Sequence, residues 1–207
     1  MGESADQRDD LIEAWSALYR GLRPSPLVRR WLTLMWTLAG PLAAARVPPA
    51  AITAAAAVLL AVDAPLFAAR LPLVALVLVL AAALCDGLDG AVALLQGRST
   101  RAGAVADTIA DRIADTAFAL VIWQAGAPLW LALLAAALSI SLEIARRRPL
   151  ITVAERPTRV ICTALACVSA AISDAAWPPT VCAAVWVAAT LVAFVQLKSS
   201  RRVRQAR

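Results

Sequence analysis

Hydrophobic residues dominate the chain from about residue 27 onward, in runs that polar loops interrupt at regular intervals. Each run is about 18–24 residues long, and a helix rising 1.5 Å per residue needs about 20 residues to cross the hydrocarbon core of a bilayer. The pattern predicts six transmembrane helices at about Ala50–Ala69, Leu73–Leu95, Gly103–Trp123, Pro128–Ala145, Pro157–Trp177 and Pro179–Leu197. The predicted fold class is therefore an all-α integral membrane protein.

The segment before the first span has a different pattern. Residues 27–44 mix Arg29 and Arg30 with tryptophan and leucine, which is typical of an amphipathic helix that lies in the membrane interface. Residues 1–26 are polar and lack the apolar stretch of a signal peptide. We divide the chain into a polar N-terminal segment (1–26), a membrane domain (27–198) and a basic C-terminal tail (199–207).

Basic residues concentrate in alternate loops, and this asymmetry predicts the orientation. Arg and Lys precede span one, follow spans two and four, and recur after span six, whereas the opposite loops contain only Arg70. By the positive-inside rule, both termini are expected in the cytoplasm, in keeping with an even number of spans. We expect a bacterial plasma membrane protein in which Arg146–Arg148 form a solvated loop.

Composition supports the membrane class and excludes several others. The chain is 61% hydrophobic with a mean hydropathy of +0.74. Its net charge of +6 comes from basic residues that lie in the loops between the apolar runs, so we expect no nucleic acid partner. It contains no histidine, which excludes Ser-His catalysis and His-ligated zinc. Its four cysteines lie in apolar stretches and are expected to be buried thiols, not disulfides.

Four carboxylates interrupt spans two and three near the cytoplasmic side. Asp86 and Asp89 are three residues apart and Asp107 and Asp111 are four apart, so each pair projects from one helix face. The short connection at 96–102 makes the spans antiparallel neighbours. Like charges at membrane depth cost several kcal/mol unless they are paired or liganded. Two divalent ions about 4 Å apart would suit this cluster, and oxygen ligands favour Mg²⁺, Mn²⁺ or Ca²⁺.

Three small residues, Gly90, Ala93 and Gly103, lie beside these carboxylates. Small residues allow helices to pack closely, and they also allow a flat ligand to approach the backbone. Sequence alone leaves both interpretations open.

The spacing of these residues resembles the signature of the CDP-alcohol phosphatidyltransferases, D-x2-D-G-x2-A-R-x8-G-x3-D-x3-D. The chain reads Asp86-x2-Asp89-Gly90-x2-Ala93-Leu94-x8-Gly103-x3-Asp107-x3-Asp111. It departs only at Leu94, where the family has arginine. Six spans preceded by an amphipathic helix also resemble this family, so the resemblance covers nearly the whole chain after about residue 27.

The resemblance implies an enzyme of phospholipid biosynthesis. Such an enzyme displaces CMP from CDP-diacylglycerol, or a similar CDP-alcohol, by the hydroxyl of a polar alcohol; inositol phosphate, glycerol 3-phosphate and serine remain open as acceptors. It also implies a homodimer, a two-ion Mg²⁺ or Mn²⁺ site, and Asp111 as general base. By this resemblance the metal ligands are Asp86, Asp89, Asp107 and Asp111, and the CDP group is bordered by Asp86, Gly90, Ala93 and Gly103. We expect Arg98 or Arg101 to replace the cation lost at Leu94.

A second polar cluster precedes span five. The segment Glu155-Arg156-Pro157-Thr158-Arg159 resembles the E-R-x-x-R segment of family members that use inositol phosphate. Arg156 and Arg159 are therefore expected to bind a phosphate of the acceptor, which arginine can contact through two parallel hydrogen bonds. Asp115 lies one turn beyond Asp111 and is either an acceptor-side carboxylate or the partner of a neighbouring arginine.

Two other functional classes fit part of the pattern. Carboxylates inside a membrane also mark the ion paths of transporters, although such acids spread through the depth of the bilayer and these lie at one level. A non-catalytic subunit with a degenerate site would explain the loss of arginine at Leu94.

Overall fold

The computed structural model describes residues 26–68, 70–97, 101–146 and 152–205, and these residues form seven α-helices and no strand. The helices are α1 (Pro26–Ala44), α2 (Pro49–Ala68), α3 (Pro72–Leu95), α4 (Arg101–Gln124), α5 (Leu129–Ala145), α6 (Arg156–Ile172) and α7 (Trp177–Gln205). The all-α prediction is confirmed for this part of the chain.

Proline marks several of the helix starts. Pro49 and Pro72 are the first residues of α2 and α3, and Pro157 lies in the first turn of α6. Proline suits these positions because its missing N–H would have no partner inside the helix and its fixed φ favours the first turn. The sequence therefore located the starts of these helices to within a few residues.

Two helix ends differ from the prediction. The fifth span was expected to continue to about Trp177, but α6 ends at Ile172 and Ser173 adopts an extended conformation. Serine and aspartate compete with the helix backbone for hydrogen bonds, which explains the break at Ser173-Asp174. The last helix continues to Gln205, through most of the segment predicted as a basic tail.

The long apolar helices indicate a membrane protein. Within the described residues, α3 and the segment Trp177–Ser199 of α7 are each long and apolar enough to cross a membrane. Val28–Ala44 and Pro49–Asp63 meet the same criterion together, as one span bent by 117°. The count of six spans and the interfacial position of α1 stay predictions.

Helix α4 lies at the centre of the bundle and packs against α2, α5, α6 and α7. The central core consists largely of alanines around two fully buried aromatic residues, Phe118 and Trp186. Small side chains allow the helices to approach closely, as is common in membrane bundles. This packing brings the middle of α4 into contact with the start of α6.

Helix α1 packs against α3 at a glycine. A Cβ atom added at Gly87 would lie 2.7 Å from Sδ of Met35 and 3.2 Å from Cζ2 of Trp31. Met35 is buried in this contact. The close approach of α1 therefore depends on the missing side chain at Gly87, next to Asp86.

Candidate active site

One guanidinium group joins the carboxylates of two helices. Arg156, the first residue of α6, places Nη1 against Oδ1 of Asp86 on α3 and against Oδ1 of Asp111 on α4. All three side chains are partly exposed. Oxygen atoms from α3 and α4 thus converge on a single cationic group. The prediction that α3 and α4 are packed neighbours is wrong for the described residues, because α3 packs against α1, α2 and α6 and not closely against α4. The side chain of Arg156 on α6 bridges the two carboxylates instead.

Asp89 lies deeper than Asp86 and faces α2. Oγ1 of Thr53 donates a hydrogen bond of 2.5 Å to Oδ2 of Asp89, and the N–H of Gly90 donates one of 2.7 Å to Oδ1. The Asp89 side chain is buried. Thr53 was not predicted from the sequence, where it is one of two polar residues, with Asp63, in an otherwise apolar helix.

A second ion pair crosses from α4 to α6 one turn further along. Nη1 of Arg159 lies 2.7 Å from both carboxylate oxygens of Asp115, and Nη2 lies 3.1 Å from Oε1 of Glu143 on α5. Arg112 also approaches Asp115, at 3.7 Å. Of the two interpretations of Asp115, the structure shows the ion pair with neighbouring arginines. The predicted contact of Arg159 with a phosphate stays a prediction.

Ion pairs also hold the turn before α6. Nη2 of Arg146 lies 2.8 Å from Oε1 of Glu155, which accepts a 2.8 Å hydrogen bond from the N–H of Thr152. Arg146 also contacts the Thr152 hydroxyl and lies 3.4 Å from Glu143. The prediction of a solvated loop is wrong for Arg146, because these carboxylates draw it into the protein; residues 147–151 lie outside the described part of the chain.

The small residues beside the carboxylates differ in their surroundings. A Cβ atom added at Gly90 would meet no atom within 4 Å, so close helix packing does not explain this glycine. Ala93 is partly buried on α3, and Gly103 is exposed in the first turns of α4. The open space at Gly90 favours the approach of a ligand.

Several predicted site residues lie partly or wholly outside the described part of the chain. Asp107 lies on α4 one turn before Asp111, but its side chain is not among those described. Arg98 lies outside the described residues, and Arg101 is the first residue of α4. Leu94, in the last turn of α3, is exposed and so does not fill the space between the carboxylates.

The donor set of this cluster suits a hard divalent cation. Among the described side chains, which do not include that of Asp107, no three His, Cys, Asp or Glu residues form a group that could hold a metal ion. The ion pairs around the cluster join five carboxylates to four guanidinium groups: Asp86, Asp111, Asp115, Glu143 and Glu155, with Arg112, Arg146, Arg156 and Arg159. With Asp89, carboxylates outnumber guanidinium groups, and their oxygen atoms are ligands that Mg²⁺ and Mn²⁺ prefer.

Carboxylates of two helices thus gather around one guanidinium group within a helical membrane protein. The family model for CDP-alcohol phosphatidyltransferase matches residues 46–206, and the chain belongs to this family. The match includes every residue from Asp86 to Asp111, so the resemblance found in the sequence is confirmed. Comparisons with curated proteins and with solved structures each found no significant match.

Membership of the family defines the general activity. These proteins are transferases of phospholipid biosynthesis that use a CDP-alcohol as the donor, and they generally depend on a divalent metal. The chain is therefore a membrane protein of a transferase family.

Proposed function

We propose that this protein transfers the phosphatidyl group of CDP-diacylglycerol, or of a similar CDP-alcohol, to the hydroxyl of a polar alcohol and releases CMP. The observation that carries the proposal is the convergence of Asp86 and Asp111 on one cationic group, within the family motif. Oxygen ligands from two helices, brought together at one position, provide the kind of site that phosphoryl transfer requires.

Asp86, Asp89, Asp107 and Asp111 would hold Mg²⁺ or Mn²⁺ in a two-ion site. When bound, the ions would hold the diphosphate and neutralise the charge that develops at the phosphorus atom under attack. Thr53 would orient Asp89 through its 2.5 Å hydrogen bond. Partners of this kind fix the direction of a ligand side chain and typically contribute about 10–100-fold in metal affinity.

Asp111 would act as general base. In the reaction the acceptor oxygen forms a bond to the β-phosphorus of the CDP-alcohol, the bond from that phosphorus to CMP breaks, and Asp111 takes the proton of the acceptor hydroxyl. A general base must lie within hydrogen-bonding reach of that hydroxyl. Asp111 is partly exposed at the cluster, so an acceptor can reach it. The cytidine would lie against Gly90, Ala93 and Gly103, with Arg98 near the nucleotide.

Arg156 would bind a phosphate group of the acceptor. Its guanidinium contacts Asp111, so a phosphate bound there would place the acceptor hydroxyl close to the proposed base. Its Nε atom is buried without a hydrogen-bond partner among the described residues, and it is a donor that a phosphate could use. We therefore favour a phosphorylated alcohol. For Arg159 to bind the same phosphate, its guanidinium would have to leave Asp115 and Glu143.

The membrane arrangement completes the proposal. Helices α2 to α7 would form six spans, with α1 in the interface and both termini and the site on the cytoplasmic side of a bacterial plasma membrane. Small apolar residues on α4 and α5 would permit a homodimer. Labelling of single cysteines from either side of sealed vesicles, and the mass of the protein in detergent, would test these two points.

One experiment tests the reaction itself. Purified protein would be incubated with CDP-diacylglycerol, Mg²⁺ or Mn²⁺ and a panel of polar alcohols, with and without phosphate, and CMP and the lipid product would be measured. We expect CMP only with metal and a suitable acceptor, and none from the Asp111→Asn variant. No CMP with any acceptor would refute the proposal, and binding of Mn²⁺ and CDP-diacylglycerol without turnover would favour a non-catalytic subunit.

A further inference from the structure

Two ion pairs connect α4 with α6, one helical turn apart. Asp111 contacts Arg156 in the outer pair, and Asp115 contacts Arg159 in the inner pair. Residues three or four apart share one face of a helix, so both pairs can form together only in one register of α4 against α6. We propose that the inner pair is a positioning device that holds Asp111 opposite Arg156; the proposal rests on the proposed transferase function.

The two pairs differ in their exposure to solvent. The inner side chains are 4% exposed for Arg159 and 2% for Asp115, whereas the outer ones are 24% for Arg156 and 28% for Asp111. Breaking a buried ion pair leaves an uncompensated charge and is strongly unfavourable, whereas exposed pairs are weak. The inner pair can therefore fix the register while the outer pair exchanges its partners for metal and substrate.

Arg159 also holds the chain directly before Arg156. Nη2 of Arg159 donates a 3.2 Å hydrogen bond to the carbonyl oxygen of Ala154, a buried residue in the turn that leads into α6. The same nitrogen contacts Glu143 on α5 at 3.1 Å. One buried guanidinium thus connects α4, α5 and the start of α6. Its removal would release the backbone that carries Arg156.

A positioning role is distinct from simple stabilisation. Catalytic groups lose activity when they are displaced by about 1 Å, even when the protein remains folded. A variant that keeps the fold but lacks the inner pair would therefore lose function without losing stability. That variant is Asp115→Leu/Arg159→Met, because an apolar pair of similar volume can replace a buried ion pair without loss of stability.

The experiment compares four proteins with the wild type. Asp115→Asn removes one charge of the inner pair, Arg159→Lys keeps the charge but loses the planar fork, and the double variant removes both charges. Trp186→Phe is the matched control, because it removes a buried 2.8 Å hydrogen bond to Ser139 between α5 and α7. For each protein the melting temperature, the affinity for Mn²⁺, and kcat and KM would be measured.

We expect Asp115→Asn to lower Mn²⁺ affinity and kcat by about 10–100-fold, the range found for residues that orient metal ligands. KM for the CDP-alcohol should change less. The double variant should have the melting temperature of the wild type, but its kcat and Mn²⁺ affinity should stay as low as those of Asp115→Asn. Trp186→Phe should lower the melting temperature alone. Recovery of all three quantities in the double variant would overturn the proposal.

A distance measurement tests the register without any catalytic readout. Spin labels would be placed at Ile113 on α4 and Ile161 on α6, which are 54% and 56% exposed, after replacement of the four free cysteines. We expect one narrow distance distribution in the parent protein and a broad one in Asp115→Asn. An unchanged distribution would overturn the positioning role. A broadened distribution in a protein that never releases CMP would support it while the proposed reaction fails.

Discussion

The guanidinium of Arg156 lies between Asp86 and Asp111, so a side chain from α6 contacts carboxylates of both α3 and α4. These two carboxylates are also the proposed ligands of a divalent ion. Because a guanidinium and a metal ion cannot both occupy the same lone pairs of an oxygen atom, Arg156 and the metal compete for them. Two opposite effects of one substitution follow from this geometry.

Arg156→Gln should raise the affinity for Mn²⁺ and weaken binding of a phosphorylated acceptor. Loss of charged hydrogen bonds, worth about 1.5–3 kcal/mol each, should raise KM for that acceptor by about tenfold or more. Removal of a competing cation should strengthen metal binding. Titration with Mn²⁺ and acceptor kinetics measure the two effects, and Arg70→Gln, at an exposed arginine on the predicted opposite side, is the control. Weaker metal binding in Arg156→Gln would contradict the assignment.

Thr53→Val should lower metal affinity by about 10–100-fold, because it removes the hydrogen bond that orients Asp89. Thr53→Ser keeps the hydroxyl group and should retain most of the affinity. The matched control is Thr190→Val, in which a buried hydroxyl that bonds only to its own helix backbone in the described structure is removed from α7. Equal Mn²⁺ affinities for Thr53→Val and the wild type would show that Asp89 needs no such partner.

Gly87→Ala should destabilise the contact between α1 and α3. The new methyl group would lie 2.7 Å from Sδ of Met35, and overpacking of this kind costs about 1–3 kcal/mol. A lower melting temperature is the expected result. Met35→Ala removes the atoms that clash but leaves a cavity of its own, so the further cost of Gly87→Ala should be smaller in the Met35→Ala background than in the wild type. An unaffected Gly87→Ala protein would mean that α1 moves aside without cost.

Gly90→Ala should behave in the opposite way. No atom lies within 4 Å of the added methyl group, and alanine favours a helix over glycine by about 1 kcal/mol, so the melting temperature should stay the same or rise. If cytidine lies against this backbone, KM for the CDP-alcohol should increase. Together Gly87→Ala and Gly90→Ala separate a glycine required for packing from one required for ligand binding. An unchanged KM would remove Gly90 from the nucleotide site.

Sequence predicted those features that depend on local rules. The prolines at the starts of α2, α3 and α6 marked the helix boundaries. The sequence also predicted that Asp86 and Asp111 lie close together, but not that Arg156 of α6 would join them. Hydrogen-bond and ion-pair partners that lie far apart in the sequence depend on how the helices pack, and local rules could not predict them. Thr53 lies thirty-six residues from Asp89 in the chain, and Arg146 was interpreted from its loop alone although Glu155 and Glu143 pair with it.

The contact of α1 with Gly87 links the position of the site to the surface of the bilayer. Helix α1 is bent by 117° from α2, so if α2 crosses the membrane, α1 runs closer to parallel with the lipid surface than with the bilayer normal. In that arrangement Met35 connects a helix at the level of the lipid headgroups to Gly87, the residue beside Asp86. This contact would set the carboxylates at a fixed depth in the bilayer, level with the diphosphate of a CDP-linked lipid. The lipid substrate would then reach the site within the plane of the bilayer, and a water-soluble acceptor would reach it from the aqueous side.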